Sequence, residues 1–198
     1  MEKWNPEYEM EYWNSVTDNG CRNKIMSKYK YFNVDEVVKN NFEGSPVVAI
    51  DIAGGMWGGA LQFFDAEKKI LIDYLADEFV RIGKMNGDIN AVNGDFCNLP
   101  LEDDSVDVVF CWEAFDHCNS MDDFRMAQEE VVRVMSKGGL LFFEMPIRTK
   151  PIDGHPISLA DISRDDIVRG FCKLKMIKRV DSGPEFESPS PIMLVMKK

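Results

Sequence analysis

Long apolar runs are absent from this chain, since no stretch approaches the ~20 residues that a helix needs to cross a bilayer. The N-terminal segment, MEKWNPEYEMEYW, is acidic and aromatic. It lacks the basic start and the apolar centre of a secretory signal peptide. We therefore expect no membrane association and a cytoplasmic location.

Paired cysteines of the CxxC type are also lacking. The five cysteines are odd in number and widely spaced, which argues against a disulfide framework. Cys111, His117 and Cys118 lie close together in the sequence, but a fourth metal ligand is missing. We expect these thiols to be buried or to line a pocket, and we predict no metal site.

Basic residues are scarce, with 23 lysines and arginines against 34 acidic residues and a net charge of −11. Proteins that bind nucleic acids gain much of their affinity by neutralising phosphates. The balance therefore argues against a nucleic-acid partner, although a local basic patch can exist on an acidic protein. A chain of 198 residues is most simply one domain with a sizeable core.

Strand-like apolar runs alternate with longer stretches from residue 47 onward. Their near-continuous apolarity is typical of parallel strands that are buried on both faces of a sheet. Two final runs have only a short polar segment between them, which favours an antiparallel hairpin. The predicted strands cover 47–52, 69–73, 89–93, 106–112, 139–145, 172–180 and 191–197.

Helical patterns fill the first 45 residues, beginning at Asn5 and Pro6, which are favourable N-cap and first-turn residues. We predict an N-terminal helical arm or lid over 1–45 and a main unit over 46–198, within one structural domain overall. Tyr8, Tyr12 and Trp13 of the arm form either an aromatic lid or a face packed on the sheet.

The strongest helical pattern covers about 121–136, where apolar residues recur at helical spacing. Gly138 and Gly139 follow, and glycine is a common residue just beyond the end of a helix. The sequence therefore predicts a helix that the glycine pair ends before the next strand.

Three acids end successive predicted strands: Asp51, Asp73 and Asp95 are spaced 22 residues apart. The carboxyl ends of parallel strands meet at one edge of a sheet, where doubly wound folds bind their ligands. A glycine-rich turn, AGGMWGG, follows the first strand and lets the backbone approach a ligand closely. It lacks the G-x-G-x-x-G pattern of dinucleotide-binding enzymes.

The segment GDFCNLPLEDDSVDVVF, residues 94–110, closely resembles a characteristic stretch of class I S-adenosylmethionine-dependent methyltransferases. The glycine-rich turn resembles the same family, although Trp57 stands where its last glycine is common, and so does EEVVRVMSKGGLLFFE. The resemblance implies an α/β, three-layer Rossmann-like fold. Its seven-stranded sheet is mostly parallel with an antiparallel last strand. It also implies S-adenosylmethionine as cofactor and S-adenosylhomocysteine as product.

The resemblance also assigns residues to the cofactor. Asp73 would accept the two ribose hydroxyls, which a carboxylate can bind in a bidentate manner. Asp95 would accept the adenine amino group, with Phe96 beside the ring. The predicted cofactor contacts are Asp51, Ala53, Gly54, Gly55, Trp57, Asp73, Tyr74, Asp95, Phe96 and Cys111.

Candidate catalytic residues lie where the acceptor wall is expected. His117 and Glu113 follow the fourth strand, and His155 lies in a later loop. A general base needs a pKa near the working pH and a free atom that faces the substrate. Packing or hydrogen bonding is the alternative role for His117, and the sequence favours it.

We predict methyl transfer to oxygen or nitrogen of a small-molecule acceptor, such as a sugar or another biosynthetic intermediate. The alternative is a catalytically inactive methyltransferase-fold protein that binds or scaffolds. Trp57 in the glycine-rich turn and the absence of an unambiguous base favour this alternative. A nicotinamide-dependent oxidoreductase is disfavoured because G-x-G-x-x-G is absent. The sequence leaves the oligomeric state open.

Overall fold

The computed structural model describes residues 6–15, 18–83, 85–146, 162–180 and 191–198. Seven strands form one sheet in the order β3-β2-β1-β4-β5-β7-β6. The first five are parallel, and β7 is antiparallel to both of its neighbours. The predicted fold class is confirmed. The strands are β1 Val48–Ile52, β2 Lys68–Asp73, β3 Ile89–Asn93, β4 Val106–Trp112, β5 Met135–Pro146, β6 Lys175–Val180 and β7 Pro191–Lys197.

Six α-helices accompany the sheet in the described part of the chain. Two short 3₁₀ helices, Gly59–Gln62 and Phe115–His117, follow β1 and β4. None of the helices in the described ranges is both long and apolar enough to cross a bilayer. The α-helices are α1 Pro6–Ser15, α2 Asp18–Phe32, α3 Val34–Asn41, α4 Ala76–Arg81, α5 Met121–Val134 and α6 Arg164–Gly170.

An apolar core lies on each face of the sheet, which gives the molecule three layers. On one face α5 and α6 pack on the sheet, and Phe143 contacts Phe115 and Phe171 edge to face. On the other face α2, α3 and α4 share a second core, in which Phe32 stacks on Trp112 with the ring centroids 5.4 Å apart. Such aromatic pairs add to the free energy gained by burying apolar area.

The arm helices α2 and α3 form part of one of these layers. Only the 3₁₀ helix Gly59–Gln62 stands between β1 and β2, and α2 packs against it. The arm and the β1–β2 connection thereby share the core on this face of the sheet. A boundary at residue 45 stays a prediction.

The junction of α5 and β5 differs from the expectation. The predicted end of the helix at the glycine pair is wrong, because α5 ends at Val134 and Met135 is already extended, paired with Val106. Gly138 has φ +87° and donates its N–H to the carbonyl of Lys198 at 2.9 Å. Gly138 therefore lies in the stretch between Met135 and Leu140 where the pairing of β5 with β4 shifts register.

Candidate active site

A cavity of about 730 Å³ lies at the carboxyl ends of the parallel strands. Its wall includes residues at or just after the ends of four adjacent strands: Asp95 after β3, Asp73 at the end of β2, Ala53 after β1 and Glu113 after β4. The strand order places these residues side by side along the sheet edge. The expected convergence of the strand ends on one crevice is therefore observed.

Asp51 holds the glycine-rich turn from beneath. Its Oδ2 accepts a hydrogen bond from the backbone N–H of Ala60 at 2.6 Å, and its side chain is buried. A Cβ atom at Gly54 or Gly59 would lie 2.8 or 2.7 Å from Asp51 Cγ, so only glycine permits this approach. Burial raises the pKa of Asp51 well above its ordinary value, against the hydrogen bond from Ala60.

The turn itself has a left-handed backbone at Ala53 and Gly55, with φ of 56° and 72°. Ala53 and Gly54 line the cavity, whereas Gly55 lies beneath the ring of Trp13 from α1. A Cβ atom at Gly55 would be 2.5 Å from Trp13 Cζ2. The bare backbone therefore faces the cavity on one side and the arm on the other.

Asp73 presents a fixed carboxylate at the end of β2. Its Oδ1 accepts the N–H of Leu75 at 2.9 Å, and its Oδ2 accepts the N–H of Gly55 at 3.2 Å. Burial raises the pKa of Asp73, against these two hydrogen bonds. The neighbouring Tyr74 is 62% exposed and lines the cavity. Each carboxylate oxygen of Asp73 retains a second acceptor site, which suits a pair of hydroxyl groups.

Asp95 and Phe96 line the cavity beyond β3. Asp95 Oδ1 accepts the N–H of Cys97 at 2.8 Å, which fixes the turn. The Phe96 ring packs on Phe115 with centroids 5.7 Å apart and is half-buried. A carboxylate next to an aromatic face can recognise a flat base that carries an amino group.

Trp57 and Cys111 do not line the cavity among the described residues. Trp57 is 8% exposed and contacts Trp13 edge to face at 5.9 Å, within the core shared with the arm. Cys111 is buried within β4, and burial raises the pKa of its thiol. Trp57 therefore leaves the cavity open, and the predicted cofactor contacts of both residues stay predictions.

The wall after β4 contains Glu113, whose backbone has φ +54°. Its carboxylate pairs with Lys24 at 2.7 Å and Lys28 at 3.0 Å, both from α2. Lys28 also pairs with Glu144 of β5, and both of these side chains are buried. The two ammonium groups lower the pKa of Glu113 to about 2, although its desolvation opposes this shift. Such an acid is a weak base, which disfavours Glu113 as a general base.

His117 lies in the 3₁₀ helix after β4 and lines the cavity together with the buried Asp116. His155, the other candidate, lies outside the described residues. The side chains of Tyr8 and Tyr12 lie outside them as well. Of the three predicted aromatic residues of the arm, Trp13 is the one that the structure places on the cavity.

Lys24 and Lys28 were not anticipated from the sequence, and both line the cavity. Their spacing of four residues was the available signal, because side chains at i and i+4 share one face of a helix. Glu144 gave a weaker signal, as a single acid within the apolar run of β5. Within the described ranges, no group of three or more histidine, cysteine or acidic residues is arranged to hold a metal ion.

Comparisons with known proteins agree with this geometry. Residues 35–143 match the family model described as a methyltransferase domain. No curated protein matches the chain.

Three of the similar solved structures illustrate the likeness of fold. An S-adenosylmethionine-dependent methyltransferase from Clostridium acetobutylicum ATCC 824 has a TM-score of 0.62 at 15% identity, over 86% of this chain and 91% of that one. The N-methyltransferase NodS from Bradyrhizobium japonicum WM9, bound to S-adenosylhomocysteine, has a TM-score of 0.63 at 12% identity, over 89% of this chain and 86% of that one. A protein from Pyrococcus horikoshii OT3 has a TM-score of 0.65 at 14% identity, over 94% of this chain and 98% of that one.

The matched segment covers more than half of the chain and includes the glycine-rich turn, Asp73, Asp95 and Glu113. The topology of the sheet is that of the structural neighbours. The chain belongs to the class I S-adenosylmethionine-dependent methyltransferases.

Proposed function

We propose that the protein transfers the methyl group of S-adenosylmethionine to an oxygen or nitrogen atom of a small-molecule acceptor. The observation that carries this proposal is that one cavity of about 730 Å³ contains both the residues that suit the cofactor and the wall after β4. Pockets for small ligands are commonly ~300–1,000 Å³. One such cavity can bring two small reactants together.

The residues present fit the cofactor. Asp73 offers two fixed carboxylate oxygens for the ribose hydroxyls, and Asp95 and Phe96 offer an acceptor and a ring face for adenine. Ala53 and Gly54 offer bare backbone for the methionine part, where a larger residue at Gly54 would collide with Asp51.

S-adenosylmethionine supplies an activated methyl group on a sulfonium centre. The chain has to hold the acceptor in line with that group, exclude water and, where needed, take up the acceptor's proton. His117 is the proton acceptor in this proposal, because it lines the cavity just after β4. Glu113 has no proton-transfer role, since the pKa of its carboxyl is about 2 beside Lys24 and Lys28.

The arm supports an acceptor of small size. Trp13, Lys24 and Ile25 of the arm line the cavity opposite the strand ends, so that the site is partly covered. The inactive-scaffold alternative expects a cofactor site filled by the chain itself. Trp57 lies in the core and not in the cavity, which removes one of the two observations that favoured that alternative, the other being the absence of an unambiguous base.

Calorimetric titration with S-adenosylmethionine and S-adenosylhomocysteine tests the cofactor site. We expect micromolar binding that Asp73→Ala abolishes and Glu67→Ala leaves unchanged. Glu67 is an exposed acid just before the other end of the same strand, so it controls for charge. Absence of binding for both ligands, or equal binding in both variants, would contradict the proposal.

A screen for released S-adenosylhomocysteine tests the acceptor. Sugars, amines, hydroxylated metabolites and, separately, protein and nucleic-acid samples are incubated with the protein and S-adenosylmethionine, with His117→Ala as the variant. Turnover of a small acceptor that His117→Ala slows at least tenfold supports the assignment. Turnover of protein or nucleic acid alone would overturn the small-molecule proposal.

A further inference from the structure

We propose that Lys24 binds the α-carboxylate of the cofactor's methionine part. When the cofactor enters, the Lys24 ammonium group leaves its ion pair with Glu113 and pairs with that carboxylate instead. The inference rests on the proposed cofactor site. It assigns a role to an ion pair on the cavity wall that the proposed methyl transfer does not use.

The order of the strands gives the location of the methionine part. Asp95 follows β3 and Asp73 ends β2, so adenine and ribose occupy that half of the cavity. Neighbouring strands are ~4.8 Å apart, and an extended ligand therefore reaches the ends of β1 and β4 next. Glu113 follows β4 directly. Its carboxylate oxygens lie 2.7 Å from Lys24 Nζ and 3.0 Å from Lys28 Nζ.

The charges of the cavity identify the group that suits Lys24. Among the described residues that line the cavity, the cationic side chains other than histidine are Lys24 and Lys28. The acids are Asp51, Asp73, Asp95, Glu113, Asp116 and Asp123. The cofactor contains one anionic group, the α-carboxylate, and its other charged groups are cations. An ammonium group that donates to a carboxylate forms one of the stronger hydrogen bonds in proteins.

The two lysines differ in their ability to change partner. The Lys28 side chain is 5% exposed and is held between Glu113 and Glu144, whose own side chain is 3% exposed. The Lys24 side chain is 56% exposed. Breaking the buried pair would leave a charge without compensation, whereas moving Lys24 would not. Lys28 therefore retains Glu113 while Lys24 turns to the ligand.

Partner exchange makes the two members of the Lys24–Glu113 pair act in opposite directions. Lys24 attracts the incoming carboxylate, and Glu113 competes with it for the same ammonium group. Removing the lysine charge should weaken binding, and removing the glutamate charge should strengthen it. A pair that only supports the fold would weaken binding when either member is changed.

Calorimetric binding of S-adenosylhomocysteine and of 5′-methylthioadenosine to the full chain tests the exchange. The second ligand has the adenine, the ribose and the sulfur but no amino-acid part. We expect Lys24→Met to weaken S-adenosylhomocysteine about tenfold, the effect of one partly solvated charged hydrogen bond. We expect Glu113→Gln to strengthen it about threefold, which corresponds to about 0.7 kcal/mol. Neither variant should change the affinity for 5′-methylthioadenosine.

Lys30→Met is the matched control, because Lys30 is exposed on the same helix and does not line the cavity. If Glu113→Gln does not fold, Glu113→Asp replaces it, because a shorter carboxylate competes less well for Lys24 and should also strengthen S-adenosylhomocysteine binding without changing that of 5′-methylthioadenosine. An equal loss of both ligands in Lys24→Met, or weaker S-adenosylhomocysteine binding in folded Glu113→Gln, overturns the exchange while the cofactor site stands. Failure of both ligands to bind the unmodified protein overturns the cofactor site as well.

Discussion

Asp51 and Ala60 are nine residues apart, and the carboxylate of the first accepts the backbone N–H of the second at 2.6 Å. This bond closes the glycine-rich turn over a side chain that is 2% exposed. Asp51 therefore fixes the shape of the turn, and its side chain also lines the cavity. Burial, together with the negative charge of Asp73, raises the pKa of Asp51 well above the ordinary value, against the hydrogen bond from Ala60.

Substitution of Asp51 tests this role. We expect Asp51→Ala to lower the free energy of unfolding by about 2 kcal/mol, because the buried N–H of Ala60 loses its acceptor. Asp51→Asn retains an oxygen that can accept the same bond and should cost less than about 1 kcal/mol. Chemical denaturation measures the free energy of unfolding of both variants, and titration with S-adenosylhomocysteine measures whether the turn still supports binding. Equal losses in the two variants would show that the charge of Asp51, and not the hydrogen bond, supports the turn.

The contact between Gly55 and Trp13 gives a second prediction. Gly55→Ala introduces a methyl group 2.5 Å from Trp13 Cζ2 at a residue with φ +72°. Gly44→Ala is the matched control, because Gly44 has φ +83° and open space around the added atom. We expect Gly44→Ala to cost about 1 kcal/mol through backbone strain alone, and Gly55→Ala to cost about 2 kcal/mol more through the clash.

Thermal unfolding and tryptophan fluorescence separate these effects. Gly55→Ala should alter the emission of Trp13, and Gly44→Ala should not. Similar stability and similar emission in the two variants would mean that the arm does not pack on the glycine-rich turn.

Much of the fold could be predicted from the sequence. The structure gives β3 and β4 the predicted bounds, 89–93 and 106–112. For β4 the reason is that an apolar run bounded by polar residues defines a buried parallel strand. The junction of α5 and β5 could not be predicted in this way. Gly138 looks like the end of a helix, but the pairing of Met135 with Val106 forces the chain into the sheet three residues earlier.

The candidate site was predictable on the side of the strands and not on the side of the arm. Asp73 and Asp95 end runs with a clear pattern, and the structure places both on the cavity. Lys24 and Lys28 lie on a helix whose packing depends on the whole sheet. Their partner Glu113 is separated from Lys24 by 89 residues, and local patterns carry no information about such a contact.

The buried pair of Lys28 and Glu144 gives a third prediction. Lys28→Met removes the ammonium group that pairs with the carboxylate of Glu144, whose side chain is 3% exposed. We expect the free energy of unfolding to fall by about 3 kcal/mol, because the buried carboxylate of Glu144 loses its partner. This value is at the lower end for the loss of one member of a buried ion pair, since Glu144 can take up a proton. Lys28→Met combined with Glu144→Gln should recover at least half of this loss. A double variant as unstable as the sum of the two single variants would contradict an ion pair between them.

The low pKa of Glu113 gives a prediction for the pH dependence of stability. Its folded pKa, about 2, lies below the ordinary value of 4.5 because Lys28 and Lys24 favour the charged form. A carboxyl group with a lowered pKa stabilises the fold above its ordinary pKa, and this stabilisation is lost as the pH falls through the folded value. The difference in unfolding free energy between the unmodified protein and Glu113→Gln should therefore be largest above pH 5 and should shrink steadily between pH 4.5 and 2.

Asp51 and Asp73, whose pKa values burial raises, act in the opposite direction but are present in both proteins, so their contribution cancels in the difference. Urea denaturation at fixed ionic strength from pH 2.5 to 7 measures it. A difference that stays constant over this range would show that Glu113 is not held as a carboxylate by the two lysines.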